Sequence, residues 1–456
     1  MGDFDAKVWI PHGYQERGTD WLVSRPEAAL FFPPGLGKTT TSLNAFLKLR
    51  SFGYEARLLV IAPLRVCQTT WQDEPKKWAQ FADLKVGMAH GPGKEETLLD
   101  PWFDIVLLNY DGILWASKIL AKQNPFRVVI FDELTKLKHT NTRRYKALKP
   151  ILPKIQFRWG LTGTPVANGL LDLFGQIYCL DLGARFGAFI THFRLKYFYQ
   201  QPWDAWGWYI TPEKEAQIHR KLADIAMYID PSEYLDLPEL LDVDIKVELP
   251  PTIMEQYKKF EAVYIHQITE DKAIIASHAG VLSGKLRQFL GGALYDENHI
   301  PMQIHTAKLD ALDELVDELA GEPLMVAYTF DHELENLKKR HPNALVFSGG
   351  MSEKTVKDNM LAWNTGTHPV MFVQPQAAAH GLNLQFGGNA ICWYSLTYNL
   401  EDYIQLIKRI HRQGQIRTVR NYRLIIDKTL DSVLAKTLAE KDVTQEAVYT
   451  ALLKLN

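Results

Sequence analysis

The chain has 456 residues and a mass of 52.2 kDa, which predicts two or three domains rather than one small one. Its hydrophobic fraction of 46% and charged fraction of 23% are typical of folded globular proteins and exclude disordered, collagen-like and coiled-coil classes. Because 51 Lys and Arg residues face 53 Asp and Glu residues, the formal net charge is −2, and any site for a polyanion must be a local cluster.

The three cysteines, Cys67, Cys179 and Cys392, are far apart and encode neither a disulfide framework nor a zinc site of the CxxC type. The first residues lack the basic and apolar pattern of a signal peptide, and no stretch approaches the roughly 20 apolar residues of a membrane span. These features predict a cytoplasmic protein.

Two series of short β-branched and aromatic runs, with helical stretches between them, predict two α/β lobes built on parallel sheets. The first series is 27–32, 57–62, 104–108, 127–132 and 157–162, and the second is 323–328, 343–348, 370–373, 389–394 and 422–426. Between them, 230–252 carries four prolines and is predicted to be a linker or a sheet-edge crossover. We assign 1–230 to an N-terminal lobe and 231–456 to a C-terminal lobe, and expect 429–456 to form an amphipathic helical pair that braces the core.

The first predicted strand runs directly into a glycine-rich loop, which is followed by a helix-like stretch. Gly35 and Gly37 would let backbone N–H groups converge on phosphate oxygens, where the helix N-terminus adds positive charge. Lys38 would reach the terminal phosphates, and the Thr39 hydroxyl would hold Mg²⁺. The predicted ATP-binding residues are Gly35, Leu36, Gly37, Lys38, Thr39 and Thr40. A glycine turn that only caps a helix is the alternative, and the flanking strand argues against it.

The predicted strand at 127–132 ends in Asp132, and Glu133 follows it. Carboxylates at the C-terminal end of a buried parallel strand face the ligand crevice. Asp132 can hold Mg²⁺, and Glu133 can polarise the water that attacks the γ-phosphate. An Asp-Glu pair in a solvated turn is the alternative, which the phosphate loop in the same sheet disfavours.

A basic segment near the other end of the chain places Arg409 and Arg412 three residues apart, on one face of a predicted helix. They would reach a γ-phosphate only if the lobes close, which would make hydrolysis depend on closure. Residues 404–423 hold six Lys and Arg residues and no acidic residue, so a solvated basic helix is the alternative.

These motifs, in this order, resemble the Swi/Snf-like branch of helicase superfamily two, and the resemblance spans nearly the whole chain. The matching strings are PHGYQ at 11–15, IAPLR at 61–65 with Trp71, Glu74 and Trp78 after it, LTGTP at 161–165, AHGLNL at 379–384, QLIKRIHRQGQ at 405–415 and KTLD at 428–431. The resemblance is strongest to short, stand-alone versions carried by bacteriophages and prophages. It implies two tandem RecA-like lobes and ATP-dependent movement along double-stranded DNA.

The resemblance also implies roles for individual residues. Gln15 would read the adenine edge, and Gly381 would lie in the second lobe's nucleotide motif. The residues implied in DNA contact or in coupling are Pro63, Arg65, Asn109, Tyr110, Thr162, Gly163, Thr164 and Gln405. The sequence departs from the family pattern at two places. Pro33-Pro34 replaces the family's Asp-Glu before the phosphate loop, and Leu134-Thr135 replaces Ala-His after Glu133. We expect hydrolysis to survive and coupling to differ.

Eight aromatic residues lie between 193 and 209, in an insertion after the LTGTP string. They are predicted to pack as core, because aromatic side chains bury large areas, and a base-stacking platform for DNA is the alternative.

Together these features predict a DNA-dependent ATPase that uses ATP and Mg²⁺ to move along double-stranded or branched DNA. The expected setting is phage replication, recombination or repair in the bacterial host cytoplasm, with replication or repair proteins as candidate partners and a monomeric state. One alternative is an unwinding helicase for RNA or single-stranded DNA. Another is a DNA-binding assembly factor that keeps the fold without hydrolysis.

Overall fold

The computed structural model of the chain describes residues 7–202, 204–230, 233–234, 236–270, 275–378 and 382–455. Internal contacts divide the chain into two compact units. The first unit is Met1–Leu235 together with Lys441–Asn456, and the second is Asp236–Glu440. The domain limits expected from the sequence, 1–230 for the N-terminal lobe and 231–456 for the C-terminal lobe, stay a prediction.

The first unit contains a parallel sheet of seven strands within the described ranges, in the order β3-β4-β2-β5-β6-β1-β9. Strands β7 and β8 form a separate antiparallel hairpin. In the described part of this unit the strands are β1 Glu27–Phe31, β2 Leu58–Ala62, β3 Val86–Met88, β4 Ile105–Asn109, β5 Val128–Asp132, β6 Phe157–Leu161, β7 Phe198–Gln201, β8 Asp204–Ile210 and β9 Ala226–Tyr228.

Helices cover both faces of this sheet, which is why its central strands read as continuous apolar runs. On β1, Ala28 and Leu30 pack into one apolar cluster, whereas Ala29 and Phe31 pack into the other. The helices of the first unit are α1 Gly13–Val23, α2 Lys38–Ser51, α3 Leu64–Gln68, α4 Thr70–Lys77, α5 Lys94–Leu99, α6 Ile113–Leu120, α7 Arg143–Leu148, α8 Leu173–Asp181, α9 Ile190–Tyr197 and α10 Pro212–Leu222.

The second unit has its own parallel sheet, with six strands among the described residues in the order β10-β17-β16-β13-β15-β14. Strands β11 and β12 pair as an antiparallel hairpin. The strands are β10 Leu240–Val247, β11 Ala293–Tyr295, β12 Pro301–Gln303, β13 Leu324–Ala327, β14 Leu345–Phe347, β15 Val370–Val373, β16 Ala390–Trp393 and β17 Val419–Ile426. The helices are α11 Pro251–Glu270, α12 Ile275–Leu290, α13 Ala307–Glu318, α14 Asp331–Arg340, α15 Glu353–Asn364, α16 Pro375–Ala378 and α17 Leu400–Ile410. The last helix, α18 Leu430–Leu455, begins in this unit and continues into the residues that belong to the first unit.

The fold class predicted from the sequence is confirmed, since every run of the two predicted series forms a strand of a parallel sheet flanked by helices. The prediction for 230–252 is wrong over β10, which is an edge strand paired with β17 along its whole length. The prediction of a helical pair at 429–456 is also wrong, because α18 is one helix and no Gly or Pro interrupts it.

The aromatic insertion divides into a buried part and an exposed part. Phe193 and Tyr197 on α9 are buried, and the Phe193 ring packs against Phe174 at 5.5 Å between ring centroids. Tyr199 and Tyr209 pair across the β7–β8 hairpin and are 43% and 39% exposed. The prediction that the aromatic residues pack as core is therefore confirmed for α9 and wrong for Tyr199 and Tyr209, and the hairpin itself was not predicted. Trp203, which belongs to the predicted cluster, lies outside the described residues.

Among the helices of the described ranges, none combines the length and apolar character that crossing a membrane requires.

Candidate ATP-binding site

Five neighbouring strands of the first sheet, in the order β4-β2-β5-β6-β1, end at the same edge of the sheet because all their pairings are parallel. The segments that follow these strands contain nearly all of the site residues predicted for the first lobe. They are Asn109-Tyr110 after β4, Pro63 and Arg65 after β2, Asp132-Glu133 at the end of β5, Thr162-Gly163-Thr164 after β6 and the glycine-rich loop 33–37 after β1.

The glycine-rich loop has the backbone shape of an anion-binding turn. Gly35 and Gly37 have φ angles of 93° and 69°, in the left-handed region where residues with a Cβ are strained. α2 begins directly after Gly37, so the N–H groups of its first turn face the loop. The Lys38 ammonium group donates a hydrogen bond to the carbonyl oxygen of Phe32 at 2.8 Å, which places its charge beside the loop.

Gln15 on α1 lies against the same loop. Its Nε2 donates to the carbonyl oxygen of Leu36 at 3.5 Å, and its Oε1 accepts from the His12 backbone N–H at 2.9 Å. A Cβ atom added to Gly37 would come within 2.4 Å of Gln15 Nε2, so the Gln15 side chain would have to shift if this position carried a side chain. The adenine contact that the resemblance implies for Gln15 stays a prediction.

Asp132 is a buried carboxylate that two N–H groups hold in place. Its Oδ2 accepts from the indole N–H of Trp71 at 2.8 Å, and its Oδ1 accepts from the Glu133 backbone N–H at 3.1 Å. Burial raises the pKa of Asp132 above its usual value, while the Trp71 bond and the nearby Lys38 charge act in the opposite direction. The carboxyl group is therefore desolvated at a position where a cation would favour its charged form.

Glu133 has a left-handed backbone, with φ of 57° and ψ of 60°. Such a conformation is uncommon for a residue with a side chain and is typical of functional sites. The hydroxyl group of Tyr110 donates to the carbonyl oxygens of Asp132 and Glu133 at 2.8 and 3.1 Å. Tyr110 thereby ties the end of β4 to this turn, a role that its sequence motif did not indicate.

Glu74 on α4 connects that helix to the start of α2. Its Oε1 accepts from the Thr40 hydroxyl at 3.1 Å and from the Trp78 indole at 3.0 Å, and its Oε2 accepts from Lys77 at 2.8 Å. Burial alone would raise the pKa of Glu74, but these bonds lower it below the usual value. The family resemblance groups Trp71 and Glu74 in one string with Pro63 and Arg65, which it implies in DNA contact or coupling, whereas the Trp71 and Glu74 side chains bond to the ATP-binding residues. Their three-residue spacing, which puts them on one face of a helix, is the signal that could have revealed this.

The LTGTP segment packs on the phosphate loop. The Thr162 N–H donates to the carbonyl oxygen of Leu30 at 3.1 Å, and a Cβ atom on Gly163 would lie 2.9 Å from the Pro34 ring. Gly163 therefore makes room for one of the two prolines that depart from the family pattern. The second departure from the family pattern is Leu134-Thr135. Leu134 is buried and packs against Gly160 of β6, whose missing side chain leaves room for it.

In the second unit, the two predicted arginines converge without sharing a helix. α17 ends at Ile410, before the turn at Gly414 with φ of 97°, so the prediction that Arg409 and Arg412 lie on one helical face is wrong. Their Nη1 atoms nevertheless approach the same carbonyl oxygen, that of Leu382, at 3.4 and 3.5 Å. Burial lowers the pKa of Arg412.

The other polar residues of this motif hold the second unit together. His411 Nε2 bonds to the carbonyl oxygen of Pro238 at 2.8 Å. Gln415 Nε2 donates to the carbonyl oxygens of Gln385 and Gly388 at 3.0 and 2.9 Å. Gln405 is buried and donates to Glu401 at 3.3 Å. Gly381, predicted to bind the nucleotide, lies outside the described residues.

These residues fit a nucleoside triphosphate with Mg²⁺. The left-handed glycines and the N-terminus of α2 offer N–H groups to phosphate oxygens, and Lys38 adds a positive charge. Asp132 supplies a buried carboxylate, and Thr39 supplies a hydroxyl group from the first turn of α2. Both are hard oxygen ligands, which Mg²⁺ prefers. When bound, the ion would neutralise charge on the β- and γ-phosphates.

Two family models match the chain, the SNF2-related domain over residues 14–225 and the helicase conserved C-terminal domain over residues 307–414. The chain is 34% identical to protein p41 of Acyrthosiphon pisum secondary endosymbiont phage 1, over 98% of this chain and 99% of that protein. It is 25% identical to an uncharacterized ATP-dependent helicase of Mycoplasma pneumoniae over 98% of this chain, but over 43% of the helicase.

The chain is also 25% identical to the mouse DNA annealing helicase and endonuclease ZRANB3, over 89% of this chain and 38% of that protein. Among solved structures, the Sulfolobus solfataricus SWI2/SNF2 ATPase core in complex with dsDNA has a TM-score of 0.46 and 21% identity, covering 97% of this chain and 95% of that one. The two family matches and the full-length similarity to the phage protein show that the chain belongs to the SNF2-related family of helicase-like, DNA-dependent ATPases.

Proposed function

We propose that this chain hydrolyses ATP to move along double-stranded or branched DNA, in phage replication, recombination or repair. The observation that carries the proposal is the convergence of Lys38, Asp132 and Glu133 at one sheet edge, in a chain that has both domains of the family. The phage setting is supported by the full-length similarity to p41.

The proposed chemistry uses residues of the first unit in distinct roles. Lys38 and the N–H groups of α2 bind and orient the phosphates, and Thr39 and Asp132 hold Mg²⁺. Glu133 orients the attacking water and accepts its proton. The left-handed backbone of Glu133, fixed by the Tyr110 hydroxyl, supports this role because it sets the direction of the side chain.

We also propose that Arg409 and Arg412 stabilise the negative charge that develops on the γ-phosphate during hydrolysis. Their guanidinium groups approach one point in the second unit, which supports a joint role. Hydrolysis would then require both units, and DNA would control its rate by controlling their closure.

The direct test compares ATP turnover with duplex DNA, forked DNA, single-stranded DNA and RNA. We expect duplex and forked DNA to stimulate turnover most, with little dependence on DNA sequence, because phosphate contacts carry no base information. Stimulation by RNA alone would support an unwinding RNA helicase instead. Equally slow turnover by the wild-type protein and Glu133→Gln with every nucleic acid would support a non-hydrolysing assembly factor.

A further inference from the structure

α4 carries two side chains, the fully buried Trp71 and the half-buried Glu74, that bond to different parts of the candidate ATP site. Trp71 and Glu74 are three residues apart and share one face of the helix. The Trp71 side chain is fully buried and donates to Asp132, whereas Glu74 accepts from Thr40 on α2. The helix is therefore bonded both to the carboxylate at the end of β5 and to the first turn after the phosphate loop.

The Trp71 bond leaves the Asp132 carboxylate available for a cation. Each carboxylate oxygen has two lone pairs, and the two N–H donors from Trp71 and Glu133 occupy one on each oxygen. One lone pair on each oxygen stays available, and the plane of the carboxylate is fixed from both sides. A hydrogen bond to a charged acceptor in a buried site is strong, so it holds this orientation well.

The bond between Glu74 and Thr40 acts on the start of α2. The Glu74 carboxylate binds the Thr40 hydroxyl, next in sequence to Thr39, and is itself held by Trp78 and Lys77 from the same end of α4. A movement of α4 would therefore shift the start of α2 and the Asp132 carboxylate together. α3, which carries Arg65, directly precedes α4, so a ligand on that segment has a short path to both groups.

We propose that Trp71 is a positioning residue for Mg²⁺, acting through Asp132, and that Glu74 positions the first turn of α2 through Thr40. α4 thereby connects the segment after β2, on which the family resemblance places DNA, to the ATP-binding residues. The inference rests on the proposed function, because it assumes that Asp132 and Thr39 hold Mg²⁺ with ATP.

Trp71→Phe tests the inference, because it removes the indole N–H and keeps an aromatic ring in the core. Trp159→Phe is the matched control, since Trp159 is equally buried in the same apolar cluster but donates to the Arg25 carbonyl oxygen at 3.3 Å. The measurement is the affinity of the full-length protein for a fluorescent, non-hydrolysable ATP analogue, titrated with Mg²⁺ and repeated in EDTA.

In EDTA we expect wild type and both variants to bind the analogue equally. In Trp71→Phe the Mg²⁺ concentration that gives half of the affinity gain should rise about 10- to 100-fold, because losing a hydrogen-bond partner of a metal ligand usually weakens metal binding by this factor. In Trp159→Phe this concentration should stay unchanged. An unchanged Mg²⁺ requirement in folded Trp71→Phe would overturn the inference. If wild type itself gained no affinity from Mg²⁺, the proposed function would fail instead.

Glu74→Gln gives a second, independent arm if Trp71→Phe does not fold. Weakening the bond to Thr40 should reduce analogue affinity about two- to tenfold with Mg²⁺ and in EDTA alike, the value of one hydrogen bond. Lys76→Gln is its control, because Lys76 lies on the exposed side of α4 with a side chain 73% exposed. Equal affinity in Glu74→Gln and Lys76→Gln would contradict the role of Glu74.

Discussion

Lys38 places its charge beside the phosphate-binding turn, since its ammonium group bonds to the carbonyl oxygen of Phe32 across the loop. Lys38→Ala should abolish ATP turnover, because no other side chain of this loop supplies a positive charge to the terminal phosphates. Lys48→Ala is the control on the same helix, because Lys48 forms an exposed pair with Asp20. Steady-state ATPase assays with duplex DNA check this, and turnover of Lys38→Ala near the wild-type rate would contradict it.

Arg412 is the second residue whose replacement should strongly lower the rate of ATP turnover. Arg412→Ala should lower the turnover rate by roughly 10³ to 10⁵ while sparing ATP binding, as expected for an arginine that stabilises transition-state charge. Arg340→Ala in the same unit is the control, since Arg340 forms only exposed pairs with Asp310 and Asp313. Single-turnover kinetics and nucleotide binding would separate the two effects, and full activity of Arg412→Ala would exclude the joint role of the arginines.

At the scale of elements, a buried ion pair joins α13 to the start of α18. Lys308 Nζ lies 2.8 Å from Asp431 Oδ2 and 3.0 Å from the Tyr394 carbonyl oxygen, and both side chains are almost fully buried. Asp431→Ala should destabilise the second unit by about 3–5 kcal/mol, because it leaves a buried charge without its partner.

Denaturant unfolding of Asp431→Ala checks this prediction. Asp310→Ala, which breaks an exposed pair, should cost at most about 1 kcal/mol. The double variant Lys308→Met/Asp431→Leu should recover much of the loss, since apolar residues of similar volume replace such pairs well. A loss in Asp431→Ala no larger than that in Asp310→Ala would show that the pair contributes little.

His332 near the start of α14 makes stability depend on pH. Its ring is buried against Phe330 and Tyr295, and burial lowers the pKa of His332 to about 4, although Glu335 and Asp331 act in the opposite direction. The unfolded chain protonates this histidine near pH 6.5, so its contribution to stability is present above that pH and is lost as the pH falls towards 4. His305, whose pKa burial also lowers to about 4, acts in the same range.

His332→Phe should therefore lose less stability than wild type between pH 7 and pH 5, with the remaining loss due to His305 and other groups. Replacing the exposed His139 with Gln serves as the control. Denaturation midpoints at the two pH values give the answer, and an identical pH dependence in His332→Phe and wild type would refute the assignment.

The sequence predicted the sheet strands well where both faces are buried, because such strands are continuous apolar runs. It missed β3 and β9, three-residue strands at the two edges of the first sheet. It also missed β10, an edge strand in which Asp242 and Asp244 alternate with partly exposed apolar residues near several prolines. The glycine-rich loop and Asp132 were predictable because parallel strands bring their carboxyl ends together. The Trp71–Asp132 bond was not predictable, because it joins side chains 61 residues apart through packing that no local pattern encodes.

At the scale of the whole molecule, the two family matches fall in different units, the SNF2-related domain in the first and the helicase C-terminal domain in the second. Each unit has its own parallel sheet and its own set of polar residues from the family motifs. The net charge of −2 means that DNA must be bound by local basic surfaces rather than by the overall field. We propose that ATP hydrolysis drives this two-unit protein along duplex DNA.

Displacement of a third strand from a DNA triplex tests this claim most directly, because movement along the duplex removes that strand without separating the other two. The wild-type protein is predicted to displace the third strand in the presence of ATP and Mg²⁺, and Glu133→Gln is predicted to bind the same DNA without displacing it. Displacement that proceeds equally without ATP, or ATP hydrolysis by the wild-type protein with no displacement at all, would contradict the account.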